Sequence, residues 1–344
     1  MQKLVFVVSY DNQPLMPTRW SKAKRWIAQR KATPFLKKGL FCIRLNFEPT
    51  SRHTQDIVVG IDPGSKFEGF SVKSEAHTYL NIQTEAVTHV KEKEEVSASM
   101  RGARRFRKTP CRACRPNRSA LKRKKGFLLP SIKARFQWKL RVVDWLRKIL
   151  PVTHFAVEDV AAKTKPKKNK RWNLNFSPIE VGKIWFYAEL SNRGELFTFK
   201  GFETAEMRKS YGLKKASKKS AERFSAHCVD SWCLANEVIG GHTKPDNESL
   251  MVLSSLRFAR RQLQVLQPAK GGVRKRYGGT ISEGFKRGSI VTHPKFGTSF
   301  VGGFDGKGRI SLHSLDIGKR LTQSAKPAEV RFRAYNSWRF KWVA

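Results

Sequence analysis

A mixed α/β fold, with its chemistry gathered at one end of a sheet, is predicted by three observations. Residues 57–62 (Ile-Val-Val-Gly-Ile-Asp) and 154–158 (His-Phe-Ala-Val-Glu) are short, mainly apolar runs that each end in a carboxylate, as buried strands do when they deliver an acid to a strand end. Residues 131–149 carry Ile132, Phe136, Leu140, Val143 and Leu146 at spacings of three and four, which is a core-facing helical stripe. Three strand-like runs precede that helix and one follows it.

Each element has a local reason. Residues 3–9 alternate as a strand, Gln13-Pro-Leu-Met-Pro17 reads as a rigid turn, 21–30 as a basic helix and 40–47 as a strand, so residues 1–55 form a leading β-α-β module. Strands 57–62, 67–73 and 79–87 open a second unit, residues 56–95, in which Gly60, Gly64 and Gly69 are expected to allow tight backbone turns. A basic insertion follows at 96–126. Its Met100–Lys108 portion has helix-compatible composition, and Pro110 and Pro116 must end any helix. Residues 127–200 then give the striped helix, strand 154–158, a helix at 178–190 and a strand at 195–200. Residues 201–250 hold a helix at 220–238 with His227 and Asp230 three apart on one face; Trp232 and Leu234 read as core. From 251 to 344 the chain turns Gly-rich, with short strands at 288–293, 298–304, 309–315 and 330–333 that suggest a small barrel. Three strands, a helix, then a strand ending in an acid is the order of an RNase H-like core, here split by insertions.

Composition names the partner. Lys plus Arg number 69 against 27 Asp plus Glu, a net charge of +42 with pI near 10.6, far beyond what solubility requires. Residues 96–143 contain sixteen Lys or Arg and no acid. The candidate nucleic-acid contacts are Arg101, Arg104, Arg105, Arg107, Lys108, Arg112, Arg115, Arg118, Lys122, Arg123, Lys124 and Lys125, followed by Lys167, Lys168, Lys170 and Arg171 in a second run. A single basic run is as often a solvated face. These interleave with Phe106, Phe127, Trp138, Trp172 and Phe176, which favours a polynucleotide. No stretch approaches the roughly 18 consecutive apolar residues of a membrane helix, and the N-terminus reads as a strand, so a cytoplasmic location is expected. Five cysteines form no disulfide framework. Cys111 and Cys114 have metal-knuckle spacing without a second such pair, and free thiols are the better reading.

Asp62, Glu158 and Asp230 are the candidate metal ligands, with His227 beside them. Singly, Asp62 before Pro-Gly reads equally as a turn residue, Glu158–Asp159 as surface charge, and His227/Asp230 as a helix-surface pair. Together, in a chain short of acids, they fall where a sheet-end metal site needs them. Two Mg²⁺ ions about 4 Å apart on hard carboxylate oxygens stabilise both the attacking and the leaving oxygen of a phosphodiester.

These blocks carry a resemblance. Residues 57–65, 154–160 and 227–231 resemble the three split segments of a RuvC-type nuclease domain. The segment from Met100 resembles the Arg-rich bridge helix of RNA-guided effectors, and Pro14-Leu-Met-Pro17 matches the signature of the PLMP domain of the transposon-encoded IscB and IsrB proteins. Ser231 stands where that family's third segment has Ala. The resemblance implies that Asp62, Glu158 and Asp230 bind the metals, that His227 lies near the scissile phosphate, and that the C-terminal β region holds RNA and reads a target-adjacent motif. IscB proteins carry an HNH nuclease between the second and third segments. Residues 159–226 contain neither His nor Cys and cannot hold one, so the resemblance is to the IsrB branch. It implies a monomeric ribonucleoprotein with a large omega RNA that nicks the displaced strand of double-stranded DNA. A guide-free RuvC-like or RNase H-like nuclease and a non-catalytic RNA-binding protein are the rival readings.

Overall fold

The computed structural model describes residues 4–108, 127–160, 178–255, 266–267, 272–273, 281–305, 307–335 and 338–343. Residues 4–45 build a first sheet from β1 (Leu4–Val8), β2 (Pro14–Arg19), α1 (Trp20–Ala28), β3 (Ala32–Lys37) and β4 (Leu40–Leu45). Its order is β2-β1-β4-β3, with β1 and β4 parallel and both outer strands antiparallel to their neighbours. Val5, Val7, Ala23, Ala32, Ile43 and Leu45 form its core. The expected turn at 13–17 is instead part of β2. Its two prolines are tolerated because β2 is an edge strand whose register slips between Val5 and Val7, so not every N–H is needed. β3 is the other edge, and Pro34 disguises it in the sequence.

The second sheet carries the candidate site. β5 (Val58–Asp62), β6 (Phe67–Lys73) and β7 (Thr78–Glu85) are followed by α2 (Val90–Lys108), which starts well before the basic insertion, and by α3 (Pro130–Leu146). β8 (His154–Asp159), α4 (Pro178–Ser191), β9 (Glu195–Lys200), α5 (Gly201–Ser210), α6 (Phe224–Ile239) and β10 (Leu250–Ser255) come next. The short arms β11 (Leu266–Gln267) with β12 (Gly272–Val273), and β13 (Ile281–Ser282) with β14 (Phe285–Lys286), form two hairpins. β15 (Ser289–His293), β16 (Gly297–Phe304), β17 (Ile310–His313), β18 (Arg320–Ala325), β19 (Arg331–Tyr335) and β20 (Trp338–Val343) complete the order.

The central sheet runs β20-β10-β7-β6-β5-β8-β9. β6 is antiparallel to both β5 and β7, β8 is parallel to β5 and β9 to β8, and β10 is parallel to β7. β20 closes one edge antiparallel to β10. The first and last strands from residue 250 onward therefore belong to this sheet.

Strand parity separates the two faces. Val59, Ile61, Phe70, Val72, Phe155 and Val157 pack with Trp138, Trp145, Phe136 and Phe186 of α3 and α4, and Lys139 of α3 meets Glu68 of β6 in a buried ion pair at 2.6 Å. The alternate residues Val58 and Ala156 pack against Leu234 and Ala235 of α6. Asp62 and Glu158 share their parity, so both carboxylates belong to the α6 face.

Two glycines expected at turns lie inside strands. An added Cβ would come 1.8 Å from the Ser231 carbonyl oxygen at Gly60 and 2.4 Å from that of His227 at Gly69. They are bare because the α6 backbone lies directly on β5 and β6. Gly64 does serve a turn, its space being filled by the Phe67 carbonyl.

β15 to β19 form a separate antiparallel sheet of order β18-β17-β16-β15-β19. It is open rather than the expected barrel. The outer strands β18 and β19 are short and mostly exposed, with too little apolar surface to draw them together. Among the described residues no helix is long and apolar enough to cross a membrane.

Candidate active site

The site starts at neighbouring strand ends. The register that pairs Ile61 with Val157 sets Asp62 and Glu158 side by side on the α6 face. α5 begins at Gly201, where a Cβ would lie 2.9 Å from Glu158 Oε1, so the carboxyl occupies space that only glycine leaves.

α6 supplies the rest. Nearly every residue from Phe224 to Asn236 is buried, so each polar side chain on it needs an internal partner. Ser231 Oγ donates to the Cys228 carbonyl at 3.0 Å and lies 2.9 Å from Ser71 Oγ. Asn236 donates to the His242 carbonyl at 2.8 Å. His227 and Asp230 point back at the strand acids. They are only 6% and 2% exposed, and Asp62 5%, which removes the helix-surface and turn readings.

The contacts bring these residues together. His227 Nε2 lies 2.9 Å from the Lys219 carbonyl, to which it donates, while Nδ1 lies 3.4 Å from Asp62 Oδ2. Asp230 Oδ1 accepts from Arg208 at 2.5 Å, and its Oδ2 accepts from Lys215. The same Lys215 ammonium is 3.6 Å from Asp62 Oδ2 and so bridges the two aspartates. Arg208 comes from α5 and Lys215 from the loop between α5 and α6. Sequence reasoning overlooks both, because in so basic a stretch nothing marks one Lys or Arg from another.

Crowding sets the protonation. Burial, then a hydrogen bond shared with Asp62, then the charges of Asp62 and Asp230 push the Glu158 carboxyl up to about 8. Asp62 goes the other way. Burial works against its ionisation but is outweighed by the His227 ring, Lys215 and the Glu158 hydrogen bond, which together lower it. The pair holds one proton on Glu158, donated to Asp62. Burial works against the Lys215 charge, but Asp62, Asp230 and Glu158 around it outweigh burial, raise it and keep it charged.

Among the described residues, no three His, Cys, Asp or Glu side chains converge tightly enough to hold an ion by themselves; the Lys215 ammonium stands between Asp62 and Asp230. The donor chemistry nonetheless fits a hard divalent cation. Three carboxylates share one buried face, and the proton forced onto Glu158 measures a repulsion that a dication relieves.

A pH prediction follows. The Glu158 pKa is raised above its unfolded value of about 4.3. Without added metal, its contribution to stability is therefore full below that value and is lost as pH rises through about 8. Metal binding has the opposite dependence, since it needs the anion and releases the proton. Calorimetric Mg²⁺ titrations from pH 6.5 to 9 should show tightening affinity and proton release, and Glu158→Gln should flatten the melting profile. A pH-independent wild-type titration would sink this coupling.

Of the basic candidates, Arg101 is exposed on α2. Arg104, Arg105, Arg107 and Lys108 lie on the same helix. Arg112, Arg115, Arg118, Lys122, Arg123, Lys124, Lys125, Lys167, Lys168, Lys170 and Arg171, with Cys111 and Cys114, lie outside the described residues. The remaining cysteines, Cys42, Cys228 and Cys233, are buried free thiols.

Comparison with known proteins adds two similarities. A family model described as RRXRR protein matches residues 5–174. A solved structure of T. thermophilus RuvC in complex with a Holliday junction substrate aligns with 14% identity and a TM-score of 0.27, covering 54% of this chain and 98% of that chain. No curated protein matches the sequence.

Proposed function

We propose that the chain is a divalent-metal-dependent nuclease of RuvC type that nicks DNA under the guidance of a bound RNA, as IsrB proteins do. The observation that carries the nuclease reading is the meeting of Asp62, Glu158, His227 and Asp230, from three distant segments, on one buried face of the sheet. The order β7-β6-β5-β8-β9, with only β6 reversed, agrees with an RNase H-like core. The guided reading is supported by the charge, the PLMP signature and the absence of His and Cys from residues 159–226.

Asp62, Glu158 and Asp230 would hold Mg²⁺, which when bound lowers the charge barrier at the attacking and leaving oxygens. The residues do the positioning. With Nε2 donating to the Lys219 carbonyl and Nδ1 3.4 Å from Asp62 Oδ2, His227 would position an attacking water beside Asp62. Arg208 and Lys215 fix the Asp230 carboxylate and would offer cationic contacts to an incoming phosphate.

With a matched guide RNA, Mg²⁺ and a supercoiled plasmid, the protein should yield open circles cut on the strand not paired to the guide, and negative supercoiling should help. Efficient linearisation by a monomer would mean a second nuclease centre. Cutting that ignores the guide would favour the guide-free nuclease, and no metal-dependent cutting would favour a binding protein.

A further inference from the structure

A second concave site opens on the same edge of the central sheet. β5, β7, β8 and β10 all run in one direction, so Glu85 and Ser255, at the ends of β7 and β10, share an edge with Asp62 and Glu158. There the open C-terminal sheet leans over the strand ends and encloses a cavity of about 580 Å³ with Arg287, Arg320 and Arg339 in its wall. At about 4.8 Å per strand, β7 and β10 lie roughly 10 to 15 Å across the sheet from β5, within reach of one bound strand.

The cavity is short of negative charge. Among the described residues none of the three arginines makes an ion pair, and Glu85 is the lone acid of the lining. Arg320 donates to Gln323 at 3.1 Å and Arg339 to the Ile317 carbonyl at 2.5 Å, which holds both guanidiniums in place with donors to spare. Arg287 is barer still. Its Nε is buried with no hydrogen-bond partner, which is unfavourable unless something accepts from it. Its Nη2 lies beside Gly303, 3.4 Å from where a Cβ there would stand. His313 Nδ1 donates to the Gly318 carbonyl at 3.2 Å, its Nε2 lies 3.3 Å from Ser311 Oγ, and its ring stacks on Phe300.

We propose that this cavity binds a phosphodiester group of the nucleic-acid strand that the carboxylate site acts on. Planar guanidinium forks match phosphate oxygens in pairs, and three of them around one hollow supply the charge and donors such a group takes. The inference rests on the nuclease reading and deepens it, because it gives the cleaved strand a second anchor on the same sheet edge.

The test is binding of labelled single-stranded DNA and RNA 12-mers, by anisotropy over a salt series, to wild type, Arg287→Lys and the Arg287→Ala/Arg320→Ala/Arg339→Ala triple variant. Inorganic phosphate serves as competitor. The triple variant should bind more weakly, its log–log salt slope lower by about 0.7 per lost contact and roughly 2 in all. Arg287→Lys should fall between, and preference for one 12-mer identifies the strand. Phenylglyoxal labelling of Arg287 in the wild type should drop when the strand binds, a readout that survives if the triple variant misfolds. Unchanged slope in a folded triple variant, or labelling unaffected by the strand, would overturn the proposal; so would protection by inorganic phosphate and not by either 12-mer. Guided nicking is scored separately. A lowered slope without guided cutting keeps the cavity and removes the guide, whereas guided cutting with an unchanged slope does the reverse.

Discussion

Replacing Asp62 or Asp230 with alanine is expected to lower strand cleavage by about a thousandfold or more, with strand binding nearly intact. Each change removes a candidate metal ligand and none of the basic side chains proposed to hold a polyanion. About 4 kcal/mol of lost transition-state stabilisation is enough for such a factor. The two variants should differ in stability. Asp62→Ala removes the acceptor shared by His227, Lys215 and the Glu158 proton, which together hold its carboxyl low, so without metal it should melt below the wild type. Asp230→Ala takes the partner from Arg208 and Lys215. Their side chains are 22% and 28% exposed and can partly rehydrate, so the loss should be smaller than for a fully buried pair. Cleavage, anisotropy and melting on the same preparations decide the matter. A wild-type rate in either variant would take that residue out of the site.

Gly60→Ala should be the most damaging single methyl group in the central sheet. The new Cβ would stand 1.8 Å from the Ser231 carbonyl oxygen, 2.8 Å from its carbon and 3.1 Å from the Ala235 nitrogen. All three are α6 backbone atoms, so no rotamer change relieves the clash. The helix must lift from β5, losing its packing on Val58 and Ala156 and dragging His227 and Asp230 away from Asp62. Overpacking of this kind costs about 3 kcal/mol or more. Chemical denaturation should show the drop, and any folded fraction should have lost cleavage together with metal-induced stabilisation. The same change at Gly212, which has open space around it, pays only for its positive φ of 65° and serves as the milder control. A Gly60→Ala protein as stable as wild type would refute the close approach of α6.

The acids were legible because they stand out locally. A carboxylate closing an apolar strand, twice, and His and Asp one helical turn apart are visible in any short window, and strand parity then puts Asp62 and Glu158 on one face. Their cationic partners were not. Arg208 and Lys215 differ from dozens of other basic residues only in what α5 and its following loop bring them against. The glycines illustrate the same limit: Gly60 and Gly69 signal a close approach, but the sequence does not say whether a turn or a helix makes it. β10 and β20 escaped because nothing local shows that strands so far along the chain return to the sheet begun at β5. Pro14-Leu-Met-Pro17 reads as a turn until its position on a sheet edge is known.

That late return has a consequence for synthesis on the ribosome. β5 is made early, yet the helix that carries His227 and Asp230 emerges some 165 residues later. The sheet's outer strand, whose Trp338 packs edge-on against Trp138 and Trp145, emerges later again. Such long-range pairing is slow and comes after local structure. The basic helix α2 and the first small sheet are thus made well before the four candidate site residues can meet. Under the proposed function, the nascent protein would be a binder first and a nuclease only once the segment carrying His227 and Asp230 has been made.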